Sequence, residues 1–342
     1  MTRRILQVVL GGIVAVTLAM PAAAQDKTVE LRLSHWVPAQ HPLQPTGLVP
    51  WAESIAKASG GSIKVTIFPA QQLGKAPDHY DMARDGIVDI AHVNPGYQPG
   101  RFPIIAAGEL PFLFSNAIGG SAALDEWYRA YADKEMGDVK LCMVHLHDPG
   151  TIHSKKAITS PDQIKGMKVR PAHATMAQFV KLLGGASVQV SAPESREALE
   201  RGVADAITFP WNSIFIFGLD RVVKYHTDMK LYATTFALVM NKKSYERLSP
   251  AQQKVLDDHF TTEWAEKLST GWAKNEDSGR ARVAALPDHT IVPVSDAEVA
   301  AWRKAAEPLR EQWKANVAKL GVDGDKALAD LIQGITKRNA AY

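Results

Sequence analysis

The sequence predicts an α/β fold, because short apolar segments typical of strands alternate along the chain with segments typical of helices. With 342 residues, of which 46% are hydrophobic, the chain is long enough to build about two cored domains. No internal repeat or low-complexity linker separates two independent halves. We therefore expect two lobes that share a cleft and are joined by more than one crossing of the chain. The predicted strands are 29–33, 63–68, 87–93, 141–146, 167–169, 187–190 and 204–209.

The N-terminus has the pattern of a secretory signal peptide. Arg3 and Arg4 precede the uncharged apolar run 5–20, and Ala22 to Ala24 provide the small residues of a cleavage site. We predict that residues 1–24 are removed and that the mature chain begins near Gln25. A retained membrane anchor is the alternative, but the apolar run is short for a bilayer span.

Charge and cysteine content exclude several classes of protein. Without Arg3 and Arg4, 37 basic residues stand against 36 acidic ones, a net charge of +1. Lys and Arg are dispersed, which argues against nucleic-acid partners and against a membrane-surface patch. Cys142 is the sole cysteine and cannot form an internal disulfide, so we expect it to be buried in a strand.

The last third of the chain is predicted to be helical. Ser249 to Gln252 form a capping box with Pro250 at the first helical position, which predicts a long helix from there towards Gly271. A second periodic run, 299–320, contains Pro308, where we expect a kink or a break. We interpret the Trp residues of both runs as packing groups rather than ligand platforms.

Common catalytic signatures are absent from the sequence: it contains no phosphate-binding P-loop, no Gly-x-Ser-x-Gly elbow and no His-Glu-x-x-His zinc motif. We predict no cofactor and no metal. One group could hold a metal, since imidazoles and a carboxylate lie close in sequence, although strand-end histidines are more often solvated. Its members are His145, His147, Asp148 and His153.

Arg170 is the leading candidate for a binding residue. It ends the segment 166–170, whose alternating pattern suits a short strand, and Pro171 follows it. Ligands of open α/β sheets bind beyond the carboxyl ends of the strands, and a planar guanidinium suits a carboxylate. The alternatives are an exposed arginine or one partner of a structural ion pair.

Two loops that follow predicted strands add candidate ligand contacts. His35 and Trp36 follow the first strand, and Trp36 could form a wall of the cleft. Asn94 and Tyr97 follow the third strand and offer an amide and a hydroxyl. The alternative for the first loop is a surface turn ordered by proline, with Trp36 docked on the core.

Several segments together resemble the solute-binding subunits of tripartite ATP-independent periplasmic (TRAP) transporters. They match in order and spacing over essentially the whole mature chain. The matching segments are 71–74 (Gln-Gln-Leu-Gly), 108–114 (Gly-Glu-Leu-Pro-Phe-Leu-Phe), 164–171 (Ile-Lys-Gly-Met-Lys-Val-Arg-Pro), 198–206 (Ala-Leu-Glu-Arg-Gly-Val-Ala-Asp-Ala) and 241–245 (Asn-Lys-Lys-Ser-Tyr).

The resemblance implies a two-lobed periplasmic binding protein fold, with lobes that close around an organic acid and a long helix that spans both. Lobe I is expected at 25–148 with a returning segment at about 233–275. Lobe II is expected at 149–232 with C-terminal helices at about 276–342. Arg170 matches the carboxylate-binding arginine of the family.

The chain departs from the family pattern at two places. A further arginine that family members often carry is missing from 150–156, where His153 or a lysine could substitute. The family's Glu-Asn pair is replaced by Thr208 and Phe209, and Trp211 follows. Loss of the glutamate weakens the case for a cation-bridged ligand. An apolar wall at Phe209 and Trp211 favours an aromatic or 2-oxo monocarboxylate over a short dicarboxylate.

The resemblance therefore implies a periplasmic protein, not an enzyme, that captures a carboxylic acid and delivers it to an integral-membrane permease. One alternative is a secreted enzyme acting on an organic acid, with a histidine such as His35 or His153 as acid or base. A second alternative is a ligand-sensing subunit of a membrane receptor, which would use the same cleft.

Overall fold

A computed structural model describes residues 26–342, so the predicted signal peptide at 1–24 lies outside the described residues. Apolar and β-branched segments form eleven strands in this part of the chain. The strands are β1 (Val29–Ser34), β2 (Ile63–Phe68), β3 (Ile90–Val93), β4 (Lys140–Leu146), β5 (Thr151–Ser154), β6 (Lys168–Arg170), β7 (Ala186–Ser187), β8 (Ala206–Phe209), β9 (Tyr225–Asp228), β10 (Thr235–Met240) and β11 (Thr290–Pro293).

Helices connect the strands and form the last described part of the chain. The prediction of an α/β fold is confirmed. They are α1 (Val49–Ala58), α2 (His79–Arg84), α3 (Ala117–Tyr128), α4 (Ala132–Glu135), α5 (Ala174–Leu182), α6 (Ser195–Glu200), α7 (Ser213–Ile216), α8 (Lys242–Glu246), α9 (Pro250–Asp257), α10 (Thr262–Glu276), α11 (Gly279–Ala284), α12 (Asp296–Ala318) and α13 (Gly324–Lys337). None of the helices in this part of the chain is both long and apolar enough to cross a bilayer.

The strands form two mixed sheets. The first sheet has the order β2-β1-β3-β10-β4, and the second has the order β11-β9-β5-β8-β6-β7. In the first sheet β10 runs antiparallel to both of its neighbours, β3 and β4. In the second sheet β5 runs antiparallel to β8 and β9. The remaining strand pairs of both sheets are parallel.

This topology explains where a cleft forms. The parallel strands of one sheet end at a common edge, and the antiparallel strand begins at that edge. In the first sheet, β1, β3 and β4 therefore end where β10 begins. In the second sheet, β6 and β8 end where β5 begins. The chain passes from β4 to β5 and from β9 to β10, so both antiparallel strands start directly after a crossing between the sheets.

The crossings are paired to each other by backbone hydrogen bonds. Gly150 N donates to Tyr232 O at 2.8 Å, and Leu231 N donates to Gly150 O at 2.9 Å. A third crossing leads from α10, which packs on the first sheet, to β11 of the second sheet. The buried apolar residues form two clusters, and each cluster contains residues from both sheets.

The long helix α12 contacts both halves of the molecule. The indole of Trp302 donates to Thr159 O at 2.7 Å, in the segment between β5 and β6. The indole of Trp313 donates to Pro103 O at 2.9 Å, in the segment between β3 and α3. Of the kink or break expected at Pro308, the break is wrong, because the helix of 23 residues continues through this residue.

The predicted helix from Pro250 is divided instead into α9 and α10. The chain leaves the helix after Asp257, and Thr261 begins a new one by accepting a hydrogen bond from Trp264 N. Gly271 lies inside α10, where a side chain would overlap Thr46 of the neighbouring helical segment Leu43–Leu48. The glycine is thus used for close packing and does not end the helix. Cys142 is fully buried in β4, as expected.

Candidate functional site

A narrow cavity lies at the facing strand ends of the two sheets. Its walls come from the segments after β1, β3, β4, β6 and β8, the segment before β10, and helix α10. The lining residues are Trp36, Val37, His41, Asn94, Tyr97, His147, Arg170, Ala172, Ala192, Phe209, Pro210, Ser213, Phe217, Tyr232, Thr234, Phe236 and Trp272.

Arg170 is the last residue of β6, as predicted, and only 1% of its surface is exposed. Its Nε donates to Val190 O at 2.9 Å and its Nη2 to Tyr97 Oη at 3.3 Å. Within residues 26–342 no carboxylate lies within 4.0 Å of the guanidinium. Both alternatives for this residue, an exposed arginine and a structural ion pair, therefore disagree with its surroundings. A buried cation without an anionic partner is unfavourable unless a ligand supplies one.

Asn94 and Tyr97 present hydrogen-bond donors from the other sheet. Asn94 Oδ1 accepts from Gly96 N at 3.0 Å, so the amide Nδ2 is the group left for other partners. Tyr97 Oη accepts from Arg170 and also from Ala192 N at 2.9 Å. Because both oxygen lone pairs of Tyr97 are occupied, its hydroxyl hydrogen remains available for an acceptor.

Aromatic rings form most of the cavity wall. The Phe209 ring centroid lies 5.7 Å from the Arg170 guanidinium carbon and 5.2 Å from the Phe217 ring. The ring centroids of Trp36 and Tyr97 lie 5.7 Å apart. These aromatic rings form a wall that suits a flat apolar group. Trp272 closes the wall from helix α10, with its ring 5.4 Å from Phe236.

The cavity carries a single positive charge. None of its lining residues is Asp or Glu, and Arg170 is the only lysine or arginine among them. Burial lowers the pKa of His41 and of His147 to about 3, so both rings are neutral near pH 7. His147 Nε2 lies 2.9 Å from Thr234 Oγ1. The site can therefore neutralise one negative charge.

A buried carboxylate supports the wall without entering the cavity. Glu276 accepts from Asn212 N at 2.5 Å, from Ser213 N at 3.2 Å and from Trp272 Nε1 at 2.9 Å. The Ser213 hydroxyl also donates to it. Burial raises the pKa of Glu276, and these hydrogen bonds counteract the rise. Two lining side chains, Ser213 and Trp272, are fixed in this way.

The predicted site residues divide into two groups. Residues in the first group line the cavity: Arg170, Trp36, Asn94, Tyr97 and Phe209. Residues in the second group are buried but lie outside the lining: His35, His153, Thr208 and Trp211.

The second group contacts neighbouring protein groups. His35 Nε2 lies 2.8 Å from Gln44 Oε1, and burial lowers the pKa of His35 to about 4. Thr208 Oγ1 accepts from Ala172 N at 2.8 Å and so holds a lining residue. The Trp211 ring packs 5.4 Å from the ring of His153.

The four residues weighed as a metal site are engaged elsewhere. His145 Nε2 lies 3.0 Å from His92 Nε2, and His153 Nδ1 lies 2.6 Å from His226 Nδ1. Asp148 accepts from Ala117 N at 2.7 Å. Among the residues that the structure describes, no group of three or more His, Cys, Asp or Glu side chains is arranged to hold a metal.

Several lining residues were not predicted from the sequence. Tyr232 and Thr234 lie on the crossing before β10, a strand that the sequence analysis missed. Trp272 was interpreted as a packing residue, yet it also lines the cavity. His41 belongs to the polar loop after β1. Its position in a proline-containing loop at the end of a strand is the sequence feature that could have identified it as a lining residue.

Comparisons with known proteins agree with this architecture. The family model for bacterial extracellular solute-binding protein, family 7 (DctP) matches residues 33–316. The outer membrane transporter protein TsaT of Comamonas testosteroni is 27% identical, over 92% of this chain and 94% of that protein.

Solved structures of TRAP solute-binding proteins superpose on nearly the whole chain. One from Rhodoferax ferrireducens, with copurified benzoate, has a TM-score of 0.86 at 30% identity and covers 91% of this chain and 99% of its own. One from a marine metagenome, described as specific for aromatic acids and crystallised with 3-hydroxybenzoate, has a TM-score of 0.85 at 34% identity, covering 92% and 99%.

A third structure, from Bordetella bronchiseptica with bound mandelate, has a TM-score of 0.86 at 30% identity and covers 90% of this chain and 99% of its own. The family match, the two-sheet architecture with its long helix, and these superpositions agree. This chain belongs to the bacterial extracellular solute-binding proteins of family 7, the solute-binding proteins of TRAP transporters, and is not an enzyme.

Proposed function

We propose that this protein binds an aromatic monocarboxylate in the cavity between its two sheets and delivers it to a TRAP permease in the membrane. The observation that carries the proposal is Arg170, a buried cation that has no anionic partner among residues 26–342 and lies in a wall of aromatic rings. A guanidinium binds a carboxylate through charge-assisted, often paired hydrogen bonds. Asn94 and Tyr97 add donors from the opposite sheet, so the anion is bound from both sides.

The wall argues for one carboxylate rather than two. A second carboxylate would face aromatic rings and neutral histidines, and burial of an unpaired charge costs several kcal/mol. An aryl group in the same place is stabilised by about 25 cal/mol per Å² of apolar surface removed from water. Phe209 contributes directly to this preference because it lines the cavity. Trp211 contributes by packing behind the wall.

The ligands of similar proteins support the same class. The three structures described above contain benzoate, 3-hydroxybenzoate and mandelate, each of which joins an aromatic ring to one carboxylate. Their identity to this chain is 30 to 34%. The aromatic lining of the cavity is the feature of this chain that such ligands require.

We propose that ligand binding closes two lobes about the paired crossings at Gly150 and Tyr232. Lobe I would comprise 25–148, about 233–275 and helix α13, which packs on α3. Lobe II would comprise 149–232 and the segment from about 276 up to α13. A site divided between lobes gains its contacts only when both sides meet.

Export would place this cycle in the periplasm, with cleavage after about residue 24. The permease would then receive the loaded, closed form. A receptor partner that senses the closed form is the second candidate, since it would use the same cleft. Isolation of membrane proteins that bind the loaded form, and not the free form, would distinguish the two partners.

A thermal-shift screen tests the ligand class. We expect benzoate, 3-hydroxybenzoate and mandelate to raise the melting temperature more than succinate or malate does. Benzamide is the matched control, because it keeps the ring and removes the charge, and we expect it to give no shift. Stronger stabilisation by succinate or malate than by any aryl or 2-oxo monoacid would contradict the proposed substrate class.

A further inference from the structure

Tyr232 combines a buried hydroxyl with a position on the cavity wall. It is 2% exposed, and its phenolic oxygen makes no hydrogen bond of good geometry among the residues that the structure describes. The neighbouring Thr208 hydroxyl accepts from Ala172 N instead. The residue lies on the crossing from β9 to β10, where its backbone oxygen accepts from Gly150 N. A buried polar group without a partner is rare and costs free energy, so this hydroxyl requires an explanation.

Packing holds the ring in place. A side-chain carbon at Gly150 would lie 2.9 Å from Tyr232 Cε1 and 2.7 Å from Phe209 O, so the glycine allows the ring to approach the end of β8. The His147 and His173 rings lie 5.5 Å away on other sides. The phenol therefore has little freedom to seek another partner.

Arg170 lines the same cavity, and Phe209 lies between the two residues: its ring is 5.7 Å from the guanidinium carbon, and its backbone oxygen borders Gly150 together with the Tyr232 ring. Burial raises the pKa of Tyr232, while the Arg170 charge and the Thr208 side chain act in the opposite direction. The phenol is therefore a protonated donor on the wall of the cavity that contains Arg170.

Other donors already suffice for a carboxylate, which offers about four lone-pair sites. Arg170 uses Nε for Val190 O and one Nη2 hydrogen for Tyr97, so its remaining Nη hydrogens are available. Asn94 Nδ2 and the Tyr97 hydroxyl complete the set from the opposite sheet. These donors occupy the lone pairs of the carboxylate, so the Tyr232 hydroxyl is an additional donor that the carboxylate does not need.

We propose that Tyr232 is a specificity-determining residue that donates a hydrogen bond to a second acceptor oxygen at C2 of the bound acid, so that the site prefers 2-oxo aryl acids. This inference rests on the proposed function. A carbonyl oxygen only accepts hydrogen bonds, and it therefore matches a group of neighbours that are all donors. An acid without the C2 oxygen leaves the phenol unpaired.

Phenylglyoxylate and phenylacetate test the proposal, because they share the ring and the carboxylate and differ at C2, which is a carbonyl in the first and a methylene in the second. We expect the wild-type protein to bind phenylglyoxylate at least about tenfold more tightly by calorimetry, the usual effect of one buried hydrogen bond. Tyr232→Phe should remove this preference while the affinity for phenylacetate changes less than about threefold. Tyr245→Phe makes the same chemical change at an exposed hydroxyl bonded to Asp257 and should keep the preference.

Stability of the unliganded variant provides a second measurement. Since the hydroxyl makes no hydrogen bond of good geometry within the described part of the chain, Tyr232→Phe should leave the melting temperature unchanged or raise it. The proposal is overturned if the variant weakens both acids equally, if it alters neither, or if it melts well below the wild type. Wild-type binding of both acids without preference would reject this inference alone, whereas binding of no monoacid would reject the proposed function as well.

Discussion

Two buried charged side chains near the cavity, Arg170 and Glu276, differ in how the protein treats them. Glu276 is 5% exposed and accepts four hydrogen bonds from backbone and side-chain donors. Arg170 is 1% exposed, yet its acceptors within residues 26–342 are one carbonyl and one hydroxyl. The protein itself satisfies the carboxylate, whereas the guanidinium keeps hydrogen-bonding capacity and charge for a ligand.

The difference distinguishes a charged side chain that stabilises the fold from one that binds a ligand. Burial alone does not distinguish them, because both side chains are nearly inaccessible. The number and kind of hydrogen-bond partners distinguish the two side chains. A buried charge without a partner is unfavourable, and it is retained where a ligand supplies the partner. The comparison predicts that substitution of Glu276 acts on stability and that substitution of Arg170 acts on affinity.

The largest expected effect is on binding. Arg170→Ala should lower the affinity for benzoate by tens- to thousands-fold, about 2–5 kcal/mol, because it removes a charge-assisted pair in a closed cleft. Arg170→Lys should also bind poorly, because an ammonium cannot reproduce the planar fork. Calorimetry with benzoate checks both, with circular dichroism to confirm folding. Affinity close to that of the wild type in the alanine variant would show that Arg170 is not the anion anchor.

The next effect is on the fold. Glu276→Ala should lower the free energy of unfolding by about 3 kcal/mol, because four donors lose their common acceptor in a buried place. Glu276→Gln should cost less, since one acceptor oxygen remains. Urea denaturation measures the changes, and Glu263→Ala is the control because Glu263 is exposed on the same helix. Equal stability of the Glu276→Ala and Glu263→Ala variants would mean that the buried carboxylate is not structural.

The smallest expected effect, counted for each titrating side chain, is the change of stability with pH. Burial lowers the pKa of His41, His145, His147 and His153 to about 3 and that of His226 to about 2, whereas histidines in the unfolded chain titrate near 6.5. Below pH 6.5 the unfolded chain therefore binds more protons than the folded protein. Stability is fully present above about pH 6.5 and falls on acidification, by up to about 1.4 kcal/mol per pH unit for each histidine that stays neutral.

Benzoate stays ionised in this window, and a guanidinium keeps its charge there. The melting temperature of the free protein should thus decrease from pH 7.5 to 5.5, while the increase caused by saturating benzoate persists. The raised pKa of Glu276 acts in the opposite sense, because a carboxyl that is harder to ionise when folded favours the folded state at lower pH. Thermal melts across this range, with and without benzoate, check the result. A benzoate shift that disappears with the acid-induced loss would assign a histidine to the anion site.

Local patterns predicted much of the fold. Segment 63–68 became β2 without change, and the capping box at Ser249 begins α9. Strands β5, β9, β10 and β11 were missed. β5 and β9 contain histidine and threonine in place of a continuous apolar run. β10, in contrast, is a continuous apolar run, and its own sequence could have marked it as a buried strand.

Tertiary packing explains two wrong boundaries. The chain between Asp257 and Thr262 turns, although no proline or glycine marks the turn. Pro308 lies within a helix that continues through it. Trp302 and Trp313 hold α12 on either side of the proline by bonds to Thr159 and Pro103. Contacts distant in sequence outweigh a local preference in these places.

The sequence by itself determined the fold class, the family resemblance and Arg170 as the anchor candidate, because alternation, strand-end position and side-chain chemistry are local properties. Tertiary structure decided which neighbours of Arg170 share its cavity. Trp36, Asn94, Tyr97 and Phe209 line it, while His35, His153, Thr208 and Trp211 face other protein groups. Tyr232 and Trp272 reach the cavity from a crossing and a distant helix. Their positions depend on how the two sheets pack together, and the residue pattern within a single segment contains no information about that packing.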